Sequence, residues 1–83
     1  MSNESLEWIL GELRGVPVEQ DRIRKLVRFY DTLQVEVQQR YLDVGLHMTK
    51  MQFYLKTHSE VRKCLRPTID LIKEQYRKEE VLE

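Results

Sequence analysis

The amino-acid sequence predicts an all-α protein in which a short N-terminal helix folds onto a long central helix, followed by a C-terminal helix, in a coiled-coil-like bundle that oligomerises. From Val18 to Arg66 the chain has no proline and a single glycine, so few residues oppose a helix there. Along the same stretch, apolar residues recur at alternating steps of three and four, which places them on one side of a helix. Charged residues make up 34% and apolar residues 41% of the 83, a balance typical of one small folded domain covering residues 1–83.

The first predicted helix spans about residues 5–14. Its apolar residues fall at i, i+3, i+4 and i+7, and they are Leu6, Ile9, Leu10 and Leu13. Gly15 is placed to end this helix, and Pro17 suits the first turn of the next one. A helix of about ten residues is marginal alone in water, so its apolar side must pack on the rest of the chain.

The distribution of charge supports this folding back. The net charge is zero, but acidic residues predominate at both ends and basic residues in the middle. If the first helix runs antiparallel to the second, Glu7 approaches Lys25 and Glu4 approaches Arg28. These acidic neighbours would offset the repulsion between Arg24 and Arg28, which are one helical turn apart.

The central helix is predicted to run from about residue 18 to about residue 56. One apolar line follows it: Ile23, Leu26, Tyr30, Leu33, Val37, Tyr41, Val44, Met48, Met51 and Leu55. Gly45 interrupts this stretch, and a glycine in a helix interior costs about 1 kcal/mol relative to alanine. The apolar spacing continues through Gly45 in register, which favours a continuous helix over a break at that residue.

A second apolar line in the middle of the chain predicts a partner interface. Leu42, Leu46 and Phe53 would lie nearly opposite the first line if the helix is continuous. A helix that is apolar on two sides cannot be left half in water. The predicted interface with a partner protein therefore comprises both lines: Leu42, Leu46, Phe53, Val44, Met48, Met51 and Leu55.

The path of the C-terminal part is left open between two alternatives. Thr57 and Glu60 match a capping box, which predicts a turn at Thr57 and a last helix over about residues 58–80, with residues 81–83 frayed. In the other alternative, the central helix continues as a rod that is kinked at Pro67. His58 lies where the apolar line would continue, so a charge on its ring would weaken packing at acid pH.

Signals for catalysis or metal binding are weak, so we expect no enzyme activity, no cofactor and no metal. The sequence has no glycine-rich phosphate loop, no nucleophile-elbow pattern and no paired-cysteine or paired-histidine spacing. His47 and His58 would lie about 16 Å apart on a continuous helix, which is too far to share a metal ion. The single Cys64, with no long apolar run and no secretory signal pattern, predicts an intracellular protein of the cytoplasm or nucleus without membrane contact.

These features favour a non-enzymatic interaction or scaffold subunit, such as an adaptor, that binds protein partners through apolar helix faces. It would form a homo-oligomer, dimeric or higher, or join a hetero-oligomeric complex, since complementary apolar faces look alike in both. The alternative is a small nucleic-acid-binding or transcription-regulatory protein that uses the basic patches at residues 22–28 and 62–66. The side chains expected to contact phosphates or an acidic partner are Arg22, Arg24, Lys25 and Arg28.

Overall fold

The computed structural model describes residues 4–45 and 47–82, with side chains described as far as Glu79. Its helices, in chain order, are α1 Glu4–Glu12, α2 Gln20–Asp43 and α3 Lys50–Leu82. Within those two ranges no residue forms a β-strand. The predicted all-α fold with three helices is therefore confirmed.

The helices α2 and α3 pair as an antiparallel hairpin, and α1 lies against both of them. Near the turn of the hairpin the ring of Tyr41 contacts that of Phe53, while near its open end Arg22 donates a hydrogen bond to Gln75. The molecule is elongated along the hairpin, with extents of 53 × 24 × 17 Å. Over the described residues, no helix is both long enough and apolar enough to cross a membrane.

The first helix forms and ends as the local sequence predicts. Of its predicted apolar side, Ile9 and Leu13 are buried in the core and Leu6 is half-buried, whereas Leu10 is 50% exposed. After α1 the backbone of Gly15 adopts a φ of +81°, a left-handed conformation that glycine reaches without steric penalty. The predicted packing of this helix on the second one is confirmed, since the ring centroids of Trp8 and Tyr30 lie 5.8 Å apart.

The charged contacts of α1 involve α3, which the sequence-based prediction did not consider. Glu12 accepts hydrogen bonds from Arg66 at 2.7 and 3.0 Å, and Lys73 lies 3.5 Å from the same carboxylate. At the other end of the helix, Glu4 Oε2 lies 3.5 Å from Nε2 of His58. The prediction took α2 as the only neighbour of α1, whereas α1 fills the groove between α2 and α3.

The predicted helix over residues 18–56 is wrong, because the chain leaves the helix after Asp43. Gly45 adopts a φ of +65°, and its N–H donates to a carbonyl of the last turn of α2, as in a helix C-cap. Thr49 and Gln52 then form a capping box that starts α3. Thr49 Oγ1 accepts from the Gln52 N–H at 3.1 Å, and Gln52 Oε1 accepts from the Thr49 N–H at 3.0 Å.

Packing explains this break. One continuous helix could not cover its own apolar line, whereas the reversal between α2 and α3 places the apolar side of α2 on that of α3. The buried apolar core contains residues from all three helices and from the turn that follows α1: Ile9, Leu13, Leu26, Tyr30, Val37, Val61, Leu65, Ile69 and Ile72.

The chain does not turn at Thr57 either. Thr57 is fully buried inside α3, and its hydroxyl donates to the carbonyl of Phe53 at 2.7 Å, a bond to the preceding turn of the same helix. The helix continues through Pro67, so the predicted last helix over residues 58–80 is the larger part of a longer one. Continuity across Pro67 is confirmed, but the single rod is wrong. The prediction that residues 81–83 are frayed is wrong for Val81 and Leu82, which belong to α3, and Glu83 lies outside the described residues.

Candidate functional site

A buried polar cluster lies where the three helices meet, and we name it the junction cluster: Glu4, Tyr30, Gln34, His58 and Arg62. Tyr30 is fully buried and His58 is 5% exposed, although both carry polar atoms. The Tyr30 hydroxyl and His58 Nδ1 lie 2.5 Å apart, and Arg62 Nε lies 3.2 Å from the same hydroxyl oxygen. On the other side of the imidazole, Nε2 lies 3.5 Å from Glu4 Oε2 and 3.4 Å from Gln34 Nε2.

The donors and acceptors of the cluster fix the direction of its hydrogen bonds. A guanidinium group can only donate, so Arg62 Nε–H donates to the oxygen of Tyr30. The phenolic proton of Tyr30 then points to Nδ1 of His58, which accepts it. The neutral imidazole therefore carries its own proton on Nε2, where the Glu4 carboxylate can accept it, whereas Nε2 of Gln34 is itself a donor and makes no hydrogen bond to it.

Aromatic rings and cationic side chains enclose the cluster. The ring of Tyr54 lies 4.4 Å from that of His58 between centroids. Trp8 covers Tyr30 from α1, and the guanidinium carbons of Arg62 and Arg66 each lie 5.6 Å from the Trp8 ring centroid. These cation–π contacts tie α3 to α1 on the outer side of the cluster.

Burial also sets the protonation states in the cluster. Desolvation is the main reason why the pKa of His58 is lowered from 6.5; the Glu4 carboxylate opposes this shift, and the Arg62 cation adds to it. Desolvation likewise raises the pKa of Tyr30, while the hydrogen bond from Arg62 acts in the opposite direction. At neutral pH the imidazole is therefore uncharged and the phenol is protonated, as the hydrogen-bond directions require.

The junction cluster joins the three helices, and its central hydroxyl is closed to a substrate because Tyr30 has no exposed surface. Two of its members, His58 and Arg62, also line a groove of about 520 Å³ along α3. One indication of the junction cluster was present in the sequence, namely that His58 is in line with apolar positions. Its partners could not be identified, because Glu4, Tyr30 and Arg62 come from three different helices.

The predicted partner interface is only partly exposed. Four of its residues are 57–67% exposed at the turn end of the hairpin, and we name them the turn surface: Leu42, Val44, Met51 and Leu55. Met48 is half-buried, and Phe53 is half-buried with its ring edge against Tyr41, 6.1 Å between centroids. Leu46 lies outside the described residues. The predicted arrangement of two opposite lines on one helix is wrong, because the reversal after Asp43 separates their members between α2 and α3.

The first basic patch is exposed along one end of α2: Arg22, Arg24, Lys25 and Arg28. Within it, Arg24 lies 3.5 Å from Asp21, and Arg22 donates to Gln75. The described residues contain no group of three or more histidine, cysteine or acidic side chains that could hold a metal ion.

The second basic patch, residues 62–66, is divided between surface and interior. Arg62 donates to the buried Tyr30, and Arg66 forms its paired hydrogen bonds with Glu12. Lys63 remains exposed beside a shallow groove of about 520 Å³ on α3. Arg66 therefore serves the docking of α1, while Arg62 joins α3 to Tyr30 of α2 and to the Trp8 ring of α1.

Comparison with protein-family models, curated proteins and solved structures found no significant match for this chain.

Proposed function

We propose that this protein is a non-enzymatic helical interaction subunit that binds a partner protein through the turn surface. The observation that carries the proposal is the exposure of Leu42, Val44, Met51 and Leu55, each more than half accessible at the same end of the hairpin. Single exposed apolar residues are ordinary, but a group of them on adjacent turns is typical of an interaction site. The subunit either self-associates or joins a hetero-oligomer by covering this surface.

Exposure of the turn surface to water leaves the free energy of burying its four apolar side chains ungained. Full burial of a side chain such as leucine or methionine contributes about 1.5–3 kcal/mol relative to exposure. The core side chains of the hairpin are packed between α2 and α3 beneath α1, and the exposed Phe29, Val35 and Leu71 lie further along the helices from the turn. No part of α1 reaches the turn, since its first described residue, Glu4, lies at the level of His58. Burial of the turn surface therefore requires a partner protein.

Two leucines of equal exposure allow a matched test. Leu55 belongs to the turn surface and Leu71 lies further along α3, and both are 57% exposed. We expect Leu55→Asp to abolish association, measured as molar mass by light scattering over a range of concentrations, and Leu71→Asp to leave it intact. Phe53→Asp is unsuitable as the test because Phe53 packs on Tyr41 within the chain.

If the wild type is monomeric, the same pair of variants tests whether it joins a hetero-oligomer. Proteins that co-purify with the wild type should then be lost with Leu55→Asp and retained with Leu71→Asp. If the wild type is monomeric and both variants recover the same proteins, the turn surface is not an interface and the proposal fails.

A nucleic-acid-binding role is the second candidate, because the first basic patch is accessible to phosphates. Arg24 and Arg28 lie one helical turn apart on its exposed side. We expect salt-sensitive binding of an oligonucleotide by the wild type in this case, and its loss in the double variant Arg24→Glu with Arg28→Glu. Absence of binding by the wild type at low salt would reject this candidate.

A further inference from the structure

The groove of about 520 Å³ along α3 combines apolar surface with positive charge, and we name it the α3 groove. Three of its lining side chains are apolar or aromatic and three are cationic: Tyr54, Leu55, Pro67, Arg62, Lys63 and Arg66. None of the described residues that line it is acidic. The groove therefore offers an excess of positive charge beside apolar side chains.

The three cations of the groove differ in what they already bind. Arg66 is occupied by α1, because two of its nitrogens donate to Glu12. Arg62 uses its Nε for the hydroxyl of Tyr30, so its two terminal nitrogens remain as donors beside the groove. Lys63 is exposed and forms no ion pair or hydrogen bond with any described residue. Lys63 and Arg62 can therefore pair with carboxylates from outside the chain.

The docking of α1 shows which kind of segment this side of α3 accepts. The carboxylate of Glu12 lies 2.7 Å from Arg66 and 3.5 Å from Lys73. The indole of Trp8 lies beneath the guanidinium groups of Arg62 and Arg66, each 5.6 Å from its centroid. A helix that carries carboxylates and a large apolar side chain therefore fits against this row of cations.

The α3 groove is continuous with the turn surface. Leu55 lines the groove and also belongs to the turn surface, where the exposed Met51 lies one helical turn further. From Leu55 to Arg66 the rise along α3 is about 16 Å, the length of three helical turns. All charged side chains of residues 40–56 are exposed, and three of the four are basic: Arg40, Asp43, Lys50 and Lys56. A partner that covers both regions therefore meets cations along its whole length.

We infer that the α3 groove and the turn surface together bind an acidic amphipathic helix of a partner protein. This binding mode rests on the proposed function, because it names the kind of partner that covers the turn surface. Apolar side chains of the bound helix lie on Leu55 and Met51, and its carboxylates pair with Lys63 and Arg62. In such helix-in-groove recognition the apolar anchors recur every three or four residues.

A nucleic acid or an anionic membrane would match the charge of this interface but not its shape. The ring of Tyr54 is half-buried and lies 4.4 Å from that of His58 between centroids, so it is already packed and is not a free platform for a base. A membrane would take up the apolar side chains at the tip of the hairpin. Lys63 lies about 12 Å further along α3 than Leu55, on the side of the hairpin and away from its tip.

Two synthetic peptides test the chemistry of the partner. The first is a fluorescein-labelled helix of about 18 residues, with leucine at every third or fourth position and glutamate at the positions beside it. The second has glutamine in place of each glutamate. We expect the full chain to bind the glutamate peptide at low salt, measured by fluorescence anisotropy, and the glutamine peptide about threefold or more weakly. Equal binding of both peptides, or no binding of the glutamate peptide up to roughly 1 mM protein, would overturn the inference.

Two lysines of α3 allow a matched test of the groove. Lys63 lines the groove, whereas Lys78 is equally classed as exposed and lies near the other end of the same helix. Lys63→Glu should weaken binding of the glutamate peptide by about three- to tenfold, because an attraction becomes a repulsion. Lys78→Glu changes the net charge by the same amount and should leave the affinity unchanged. An equal loss in both variants would indicate a general effect of charge and would overturn the groove as the site.

The outcomes separate this inference from the proposed function. If Leu55→Asp abolishes association while Lys63→Glu binds the glutamate peptide as the wild type does, the turn surface remains an interface and the acidic helix is wrong. If Leu55→Asp and Leu71→Asp both retain every partner, the proposed function fails. Binding of a single-stranded oligonucleotide or of phosphatidylserine vesicles that depends on Lys63, without binding of the peptide, would also overturn the inference.

Discussion

Replacement of Gly45 by alanine should lower the stability of the protein if the helix is broken there and raise it if the helix is continuous. In the structure Gly45 has a φ of +65°, and an added Cβ would meet no atom within 4 Å. The whole effect is therefore conformational: a non-glycine residue in the left-handed region costs roughly 1–2 kcal/mol. In a continuous helix the same substitution would stabilise the protein by about 1 kcal/mol.

Gly11 is the matched control for this substitution. It lies inside α1, and a Cβ there also meets nothing within 4 Å. Gly11→Ala should raise the free energy of unfolding by about 0.5–1 kcal/mol, because alanine restricts the unfolded chain without strain in a helix.

Thermal unfolding followed by far-ultraviolet circular dichroism measures both variants. A change of 1 kcal/mol shifts the midpoint of a chain of this size by roughly 4–8 °C, which is easily resolved. We expect Gly45→Ala to melt below the wild type and Gly11→Ala above it, with Gly45→Asn less affected than Gly45→Ala. A Gly45→Ala protein that melts above the wild type would refute the turn and restore the continuous helix.

Three further predictions concern α3 and its contact with α1. Pro67→Ala should raise the free energy of unfolding by roughly 1–3 kcal/mol, because proline inside a helix removes one backbone hydrogen bond; a lower melting temperature would contradict this. Leu65→Ala should lower it by about 2–5 kcal/mol, since Leu65 is fully buried, whereas Leu71→Ala, at an exposed position, should change it by no more than about 0.5 kcal/mol. The Arg66 hydrogen bonds lower the pKa of Glu12, so their contribution is present above pH 4.5 and is lost as the pH falls through the lowered pKa. Urea titrations of Glu12→Gln below pH 4.5 should show a smaller loss of stability on acidification than those of the wild type.

Local sequence was sufficient for the helical class and for α1. The spacing of apolar residues before Gly15 predicts the burial of Ile9 and Leu13 and the end of this helix, and the structure has both, although Leu10 of the same predicted side is exposed. These features depend on steric preferences and short-range periodicity, which operate within a few residues.

Local sequence was insufficient to choose where the chain reverses. Two segments satisfy the same capping pattern, one from Thr49 to Gln52 and the other from Thr57 to Glu60. The first caps α3, while the Thr57 hydroxyl bonds to a carbonyl inside it. A cap contributes about 1 kcal/mol, too little to decide between the two, and the reversal between α2 and α3 is favoured because it also brings their apolar sides together.

The sequence by itself determined that the chain is helical, which residues are apolar on each turn, and that a histidine stands in an apolar line. Only the tertiary structure decided that the central stretch folds into a hairpin, that Leu42 and Leu55 stay exposed at its turn, and that His58 meets Tyr30 and Arg62. The physical reason is the distance along the chain over which each kind of interaction acts. Helix formation is decided among near neighbours, whereas burial and hydrogen bonding at the junction cluster join residues from three helices, so those contacts depend on how the helices pack.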